Sequence, residues 1–484
     1  MISPTTAVPD IPGTVSSASL DPATLLRTAA ADTLTRTAGP CRQPVRLART
    51  RTTIHRTTGR SEHHTDVFTA RCGTRRASTC PACSTLYKYD TYNLIAAGLR
   101  GGKNTPPQVA EHPRLFVTLT APSFGPVHLG PAKNGQLRPC HPRRQGQGPD
   151  CRTWHRTDDP LIGTPLESDT YDYTGHILFN AIAGHLWSRF TTDLRRHLAE
   201  LGGIRRDRLT DHLTVSYAKV AEYQARGTIH YHAVIRLDGP DGPTTTPPAW
   251  ATESALEDAI RHAAATTVTT TPAAPGLPAR TLRFGTQTDI RAMTDTTGGD
   301  RELSDAAVAR YIAKYATKFT EAAGIELRPI ACRTCQATGT TIRPRPGGHS
   351  DAVFCPDCHG TGKRPNRDAL PRSDPAGHID RLLATCWTLG SRTELSTLRL
   401  RQWAHTLGFR GHVSTRSRTY STTLTALRDE RSAYQSALTT AAFGPEPEDP
   451  TTLIINTWHY LGRDAPEPAA DLPPPAPTGI RGPR

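Results

Sequence analysis

Nowhere in its 484 residues does the chain carry an apolar run near the roughly 20 residues of a membrane-spanning helix, and no basic amphipathic anchor stands out. A membrane role is not expected. The opening MISPTTAVPDIPGTVSSASL lacks the charged start and apolar centre of a secretion signal, which points to a cytoplasmic protein. No repeat at a period of roughly 20 to 50 residues is visible, which excludes a solenoid. The apolar set is only 36% of the chain. Even with glycine counted it stays slightly below the usual globular share, so part of the chain is expected to lie outside any core.

Acidic residues are also in deficit. Lys and Arg number 58 against 44 Asp and Glu, a formal net charge of +14. That balance favours a polyanionic partner, nucleic acid first. The length suggests about two to four domains. The 11 cysteines are not expected to form disulfides in a reducing compartment, and their CxxC pairing points to metal instead.

Composition divides the chain. Residues 1–38, rich in Thr, Ala, Pro and Ser, and the Pro-rich residues 444–484 are expected to be mostly disordered tails, although TTLIINTWHYLG in the second could dock as a short element. Residues 39–105 hold Cys41, Cys72, Cys80 and Cys83, then an amphipathic helix marked by Leu86, Tyr89, Leu94, Ile95 and Leu99. Residues 106–325 open with RLFVTLTAPS, a strand pattern that Pro122 closes. They continue with a long helix whose Leu178, Ile182, Leu186 and Phe190 recur at four-residue steps before a Gly-Gly stop. Residues 326–372 carry two CxxC pairs, and residues 373–443 are basic and aromatic.

YAKVAEYQARGTIHYHAVIRL reads as two strands folded about ARG, with Gly227 supplying a positive φ. Alternation puts His230 and His232 on one face, and a turn centred near Arg226 sets Glu222 across from His230. Two imidazoles and a carboxylate suit a divalent ion with open positions for a substrate oxygen. The same pattern also fits a plain hairpin with surface histidines.

VARYIAKYATKFT predicts a helix near 304–322 on which Tyr311 and Tyr315 sit at i and i+4, with Lys314 and Lys318 repeating that spacing. Such a face offers two phenols, each with an ammonium beside it. A phenol, with its ordinary pKa near 10, attacks phosphorus only with help from a cation. The bland alternative is a helix whose tyrosines pack on a sheet while its lysines reach water.

HYH followed about 80 residues later by YIAKYATK resembles the HUH endonucleases that initiate rolling-circle replication, and YIAKYATK is similar to the two-tyrosine motif of bacteriophage gene A replication proteins. A longer resemblance is to the RepSA-type replication initiators of actinobacterial plasmids and integrative elements. It rests on CGTRRASTCPACSTLYKYDTYNLIAAGLRGGK, HPRLFVTLTAPSFGPVH, VSYAKVAEYQARGTIHYHAVIRLDGP, YIAKYATKFTEAAG and LRQWAHTLGFRGHVSTRSRTYSTTLTALR, within residues 70–430.

The resemblance implies an α+β fold, an HUH core of antiparallel sheet with flanking helices at 106–325, joined by zinc-binding modules and a basic C-terminal region. It implies that His230 and His232 bind Mg or Mn with a third ligand from a neighbouring strand, for which the hairpin register offers Glu222. Tyr311 or Tyr315 would attack the origin phosphate, giving a 5′-phosphotyrosine and a free 3′-OH primer. The sequence does not rank the two tyrosines. A transposase or relaxase is the nearest alternative, although relaxases often place tyrosine ahead of the histidines; a noncatalytic zinc-dependent DNA-binding regulator is another. Implied partners are single-stranded and duplex plasmid origin DNA and the host replication helicase and polymerase, with no membrane and an oligomeric state left open.

Cys332, Cys335, Cys355 and Cys358 have the spacing of a zinc ribbon, and Cys41, Cys72, Cys80 and Cys83 offer a second four-thiolate site. Cys140, His141, Cys151 and His155 are a candidate third set, irregular in spacing, while Cys386 reads as a buried helix residue. Members of the family often carry a further CxxC where this chain has Glu167 and Thr170. Arg399, Arg401, Arg410, Arg416 and Arg418 interleave with Trp403, Phe409 and Tyr420, a mixture suited to neutralising phosphates and stacking on unpaired bases.

Overall fold

The computed structural model describes residues 39–132, 134–141, 150–294, 303–317, 329–345, 348–364, 377–443 and 451–463. The expected N-terminal tail at 1–38 lies outside them, as do 444–450 and 464–484. The chain forms two compact units, one of Met1–Thr85 with Pro445–Arg484 and one of Leu86–Gly444. The protein is α+β.

In the smaller unit, strands β1 (Val45–His55) and β2 (Ser61–Ala70) form a hairpin. The helix α1 (Pro81–Arg100) opens at its end, and its residues from Leu86 onward belong to the larger unit. The expected boundary at 105 therefore falls some twenty residues beyond the division in packing. On α1, Leu94, Ile95 and Leu99 are buried, but Tyr89 is exposed.

In chain order the larger unit continues with β3 (Arg114–Leu119), α2 (Tyr173–Leu201), β4 (Thr214–Tyr223), β5 (Ile229–Asp238), α3 (Glu253–Thr266), β6 (Val268–Thr270), β7 (Thr281–Arg283), β8 (Thr288–Thr294) and β9 (Leu303–Ser304). It then has α4 (Asp305–Thr317), β10 (Thr340–Pro344), β11 (Ser350–Phe354), α5 (His378–Leu389), β12 (Ser414–Arg416) and α6 (Leu424–Phe443). The last strand, β13 (Thr452–Arg463), belongs to the smaller unit and pairs along the whole of β1. This is the short element allowed for within the C-terminal tail: TLIINTWHYLG is β-branched and aromatic, and pairing with β1 satisfies its backbone while Trp458 meets Phe68 at 5.7 Å.

The main sheet has six strands in the order β12, β4, β5, β3, β8, β9, antiparallel except for the β8–β9 pair. Asp172 caps α2, accepting from the Gly175 N–H at 2.8 Å, and Leu178, Ile182, Leu186 and Phe190 are buried along it. On the same side of the sheet Trp187 of α2 packs on Tyr217 and Tyr231, residues that alternate with the histidines. The histidine face is thereby left to α4.

One buried ion network pins the far end of β5. Arg236 is fully buried; its Nε and Nη2 donate to Asp238 at 2.6 and 2.9 Å and its Nη1 to the Gly98 carbonyl. Asp238 also accepts from Ser216 at 2.6 Å and faces His112 Nδ1 at 2.8 Å. Burial pushes its carboxyl up, but these donors hold it below the ordinary range.

The basic region 373–443 is not a separate body. Its β12 extends the main sheet, and Phe409 and Tyr420, expected to stack on bases, are buried in the core. Tyr420 lies so close to α1 that a Cβ at Gly98 would sit 2.3 Å from its ring.

Candidate active site

Alternation along β5 and the turn after β4 build the site. Gln224 and Thr228 close the turn, with the Gln224 N–H bonded to the Thr228 carbonyl at 2.9 Å and Gly227 at φ 86°. Glu222 then stands opposite His230, and Val220 opposite His232.

Glu222 Oε2 lies 3.1 Å from His230 Nε2 and 3.0 Å from His232 Nε2, and the two nitrogens are 3.1 Å apart. An octahedral ion with bonds of about 2.1 Å would hold neighbouring ligand atoms about 3 Å apart, so this triangle fits one face of such an ion. The donor set, two imidazoles and one carboxylate, could hold a divalent metal ion. Burial pushes the Glu222 carboxyl up, but hydrogen bonds to both histidines outweigh it and bring it down to about 2. Burial lowers the pKa of the His232 imidazole, which favours the neutral form that a metal needs.

His232 is held from behind. Thr118 Oγ1 is 3.0 Å from its Nδ1, and Phe116 stacks on its ring with centroids 5.8 Å apart. With Nδ1 engaged, Nε2 is turned to the cluster. Neither residue stands out in the sequence, although both alternate with Val117 on a segment whose strand pattern does.

On α4, Tyr311 Oη is 2.9 Å from His232 Nε2 and donates to Glu222 at 3.2 Å. Tyr315 packs beside it with tilted rings, the centroids 4.7 Å apart. Burial and the Glu222 charge push the Tyr311 phenol well above its usual value, and burial raises that of Tyr315. Lys314 Nζ is 5.1 Å from the centre of the Tyr315 ring. Lys318 lies outside the described residues.

These groups border a cavity of about 780 Å³ lined by His230, His232, Tyr311, Thr118, Asp289 and Arg291 among others. Asp289 and Arg291 come from β8, whose pairing with β3 faces them to the same side as Thr118 and Phe116. Sequence reading offered no signal for them, because β8 meets β3 only through a long connection.

The cysteines gather where pairing implied, with one exchange. Cys332 and Cys355 sulfurs are 3.8 Å apart and those of Cys335 and Cys358 3.6 Å, close to the roughly 3.8 Å edge of a tetrahedral zinc tetrathiolate. Gly339 and Gly362 donate backbone N–H to Cys335 and Cys358 at 3.3 Å. Cys41 is 4.0 Å from Cys80 and 3.6 Å from Cys83, and Cys72 completes a group whose ligand atoms lie within 4.8 Å. Both groups could hold a metal ion.

In the third set His128 stands where His141 was expected. His141 instead faces the Val127 carbonyl through Nε2 at 2.8 Å. Cys386 is buried in α5. Of the five arginines, Arg399, Arg410 and Arg418 are exposed, whereas Arg401 and Arg416 are half-buried: Arg401 Nε donates to the Trp387 carbonyl at 3.0 Å and Arg416 lies on β12.

Residues 27–472 match the family described as "Replication initiator protein, pSAM2" (RepSA). A "Replication initiator protein" of Streptomyces ambofaciens is 44% identical over 467 residues, covering 92% of this chain and 90% of its own. The chain belongs to the RepSA family of replication initiator proteins. No solved structure matches it. Among the described residues, no helix of this initiator is long and apolar enough to cross a membrane.

Proposed function

We propose that this replication initiator is an HUH-type, metal-dependent nickase and strand transferase that starts rolling-circle replication of a plasmid in the cytoplasm. The observation that carries the reading is the contact of Tyr311 Oη with the triangle of Glu222, His230 and His232. A phenol, a cation site and an open cavity meet at one point. The histidine pair on an interior strand of a largely antiparallel sheet supports the HUH reading.

Glu222, His230 and His232 would hold the divalent ion, Mg or Mn. When bound, it supplies positive charge against the oxygens of the scissile phosphate. Arg291 lines the cavity as a second cationic group for the strand. Tyr311 directs its oxygen at phosphorus; the Oη–P bond forms, the P–O3′ bond breaks, and the phenol proton ends on the 3′-oxygen. One ester replaces another, so the step is reversible. A later 3′-OH can therefore attack the phosphotyrosine and rejoin the strand. Tyr315, whose ring packs beside that of Tyr311, would make the second cut, and Lys314, with Lys318, would stabilise its phenolate.

The two tetrathiolate groups are read as structural zinc sites. The ribbon supports this most directly: its buried cluster consists of the four cysteines alone, so metal is what would hold it together. The exposed Arg399, Arg410 and Arg418 would lie along duplex or single-stranded origin DNA, with Arg401 and Arg416 contributing from partly buried positions. Host helicase and polymerase would extend the freed 3′ end.

The test incubates the full chain with single-stranded origin DNA and Mg or Mn and resolves products on a denaturing gel. A covalent adduct at the 5′ side of the nick is expected. It should vanish with chelator and in the double variant Tyr311→Phe, Tyr315→Phe; an adduct that persists in that variant refutes the nucleophile assignment.

A further inference from the structure

We propose that His128, Cys140, Cys151 and His155 hold a third structural zinc ion, which locks the backbone on either side of it against the turn of the β4–β5 hairpin.

The donors already stand at ligand spacing. His128 Nδ1 is 3.1 Å from His155 Nε2 and 3.9 Å from Cys140 Sγ, Cys151 Sγ is 3.5 Å from His155 Nε2, and all four ligand atoms lie within 4.8 Å. A tetrahedral zinc with bonds of about 2.0 to 2.3 Å has edges of about 3.3 to 3.8 Å, which these distances bracket. Two thiolates and two imidazoles make a neutral site. Cys140 and His155 are almost fully buried.

The surroundings are those of ligands. His155 Nδ1 donates to Asp159 Oδ2 at 2.6 Å, which fixes the tautomer and turns Nε2 to the cluster. Asp159 is itself held, its Oδ1 accepting the Leu161 N–H at 2.9 Å. The Leu129 N–H donates to Cys140 Sγ at 3.0 Å, a charge-assisted bond once the sulfur is a thiolate. No helix and only isolated bridges order residues 120–132 and 150–166, which are held by scattered backbone hydrogen bonds.

The link to the catalytic hairpin is through backbone. The His128 N–H donates to the Thr164 carbonyl at 2.8 Å and its carbonyl accepts the Gly163 N–H at 2.9 Å. Gly163, at φ +87°, presses on the turn so closely that a Cβ there would lie 2.5 Å from the Ala225 carbonyl carbon and 2.6 Å from the Arg226 nitrogen. That turn sets Glu222 opposite His230. A tie at His128 therefore reaches the register of the site in three steps of direct contact.

The test needs no nicking. Purified full chain should contain three zinc ions by elemental analysis, and Cys140→Ser with Cys151→Ser should contain two; His141→Ala should keep three. His128→Ala, a milder change, should release one zinc to a chromophoric chelator well before the other two. Amide exchange at Gln224 and Gly227 should rise in both the double serine variant and His128→Ala. Two zinc ions in the wild type, or no change in count in the double serine variant, overturns the site. Unchanged exchange at the turn overturns its role as a clamp. Either result leaves the nickase reading standing, since that is judged by the adduct alone.

Discussion

Tyr311 and His232 meet through a hydrogen bond of 2.9 Å and edge-on rings whose centroids are 4.8 Å apart, while Tyr315 stands one helical turn further along with its ring centroid 6.4 Å from that of His232. The two phenols are thus not equivalent. Tyr311→Phe is expected to lower the rate of the first cut by about 10³-fold or more, as loss of a nucleophile does. Tyr315→Phe should leave the first adduct nearly intact and suppress strand transfer from it. Single-turnover assays with one and with two origin strands check both; equal loss in the two variants would contradict the ranking.

Thr118 touches no substrate in this scheme, yet it holds Nδ1 of His232. Thr118→Val keeps the shape and removes the partner. Affinity for Mn, read by the paramagnetic resonance signal of the free ion, is expected to fall roughly 10 to 100-fold. Thr118→Ser should restore most of it. A binding curve unchanged in Thr118→Val would mean that β3 orients nothing at the site.

Local pattern carried the sequence reading as far as local pattern reaches. The facing of Glu222 and His230 was legible because Gly227 fixes the turn and side chains alternate on the strands it joins. The faces of Thr118 and Arg291 were not, since β3 meets β5 and β8 across long stretches of chain. His128 was missed for a related reason: it lies 12 residues before Cys140, outside any window that a compact metal motif suggests. Phe409 and Tyr420 misled by their neighbours. Arginines surround them in sequence, and Arg399, Arg410 and Arg418 do reach the surface, but both aromatics close the core. TTLIINTWHYLG stood out as an element from its β-branched and aromatic residues, but its partner, β1 near the other end of the chain, did not.

The ribbon offers a prediction about metal removal. Its buried cluster is Cys332, Cys335, Cys355 and Cys358, while Ile342 and Phe354 of its hairpin are exposed. A hairpin of two short strands is at best marginally stable by itself. Chelation, or Cys355→Ser, should therefore open it. Trypsin should then cleave at Arg343 and Arg345 many times faster than in the zinc-loaded protein, and bound zinc should drop by one in the variant.

Arg236 and Asp238 form a fully buried pair with His112, Ser216 and two carbonyls as further partners. Removing one member leaves the other charged and without its counterion in the core. Arg236→Met is expected to destabilise the fold by about 3 to 5 kcal/mol. Replacing both, Arg236→Met with Asp238→Asn, should cost less than the sum of the single changes. Urea unfolding of the three variants measures the coupling, and strict additivity would argue against a network.

Lys219 gives the stability curve a slope. It is buried between the rings of Tyr231 and Trp187, 4.2 and 5.6 Å from their centres, and donates to the His412 carbonyl at 3.3 Å. Burial pulls its ammonium down to about 7. In the unfolded chain it titrates near 10.4. Between those values the unfolded state binds the extra proton, so unfolding free energy rises with pH, by at most about 1.4 kcal/mol per unit. Below pH 7 the lysine is charged in both states and its contribution is flat. The aromatic faces and the carbonyl favour the charged form and narrow the window from below. Lys219→Met should remove this rise and stabilise the protein at neutral pH. Urea midpoints of wild type and variant from pH 6 to 10 test it: the two curves should converge as pH increases, and parallel curves would mean that Lys219 keeps its proton throughout.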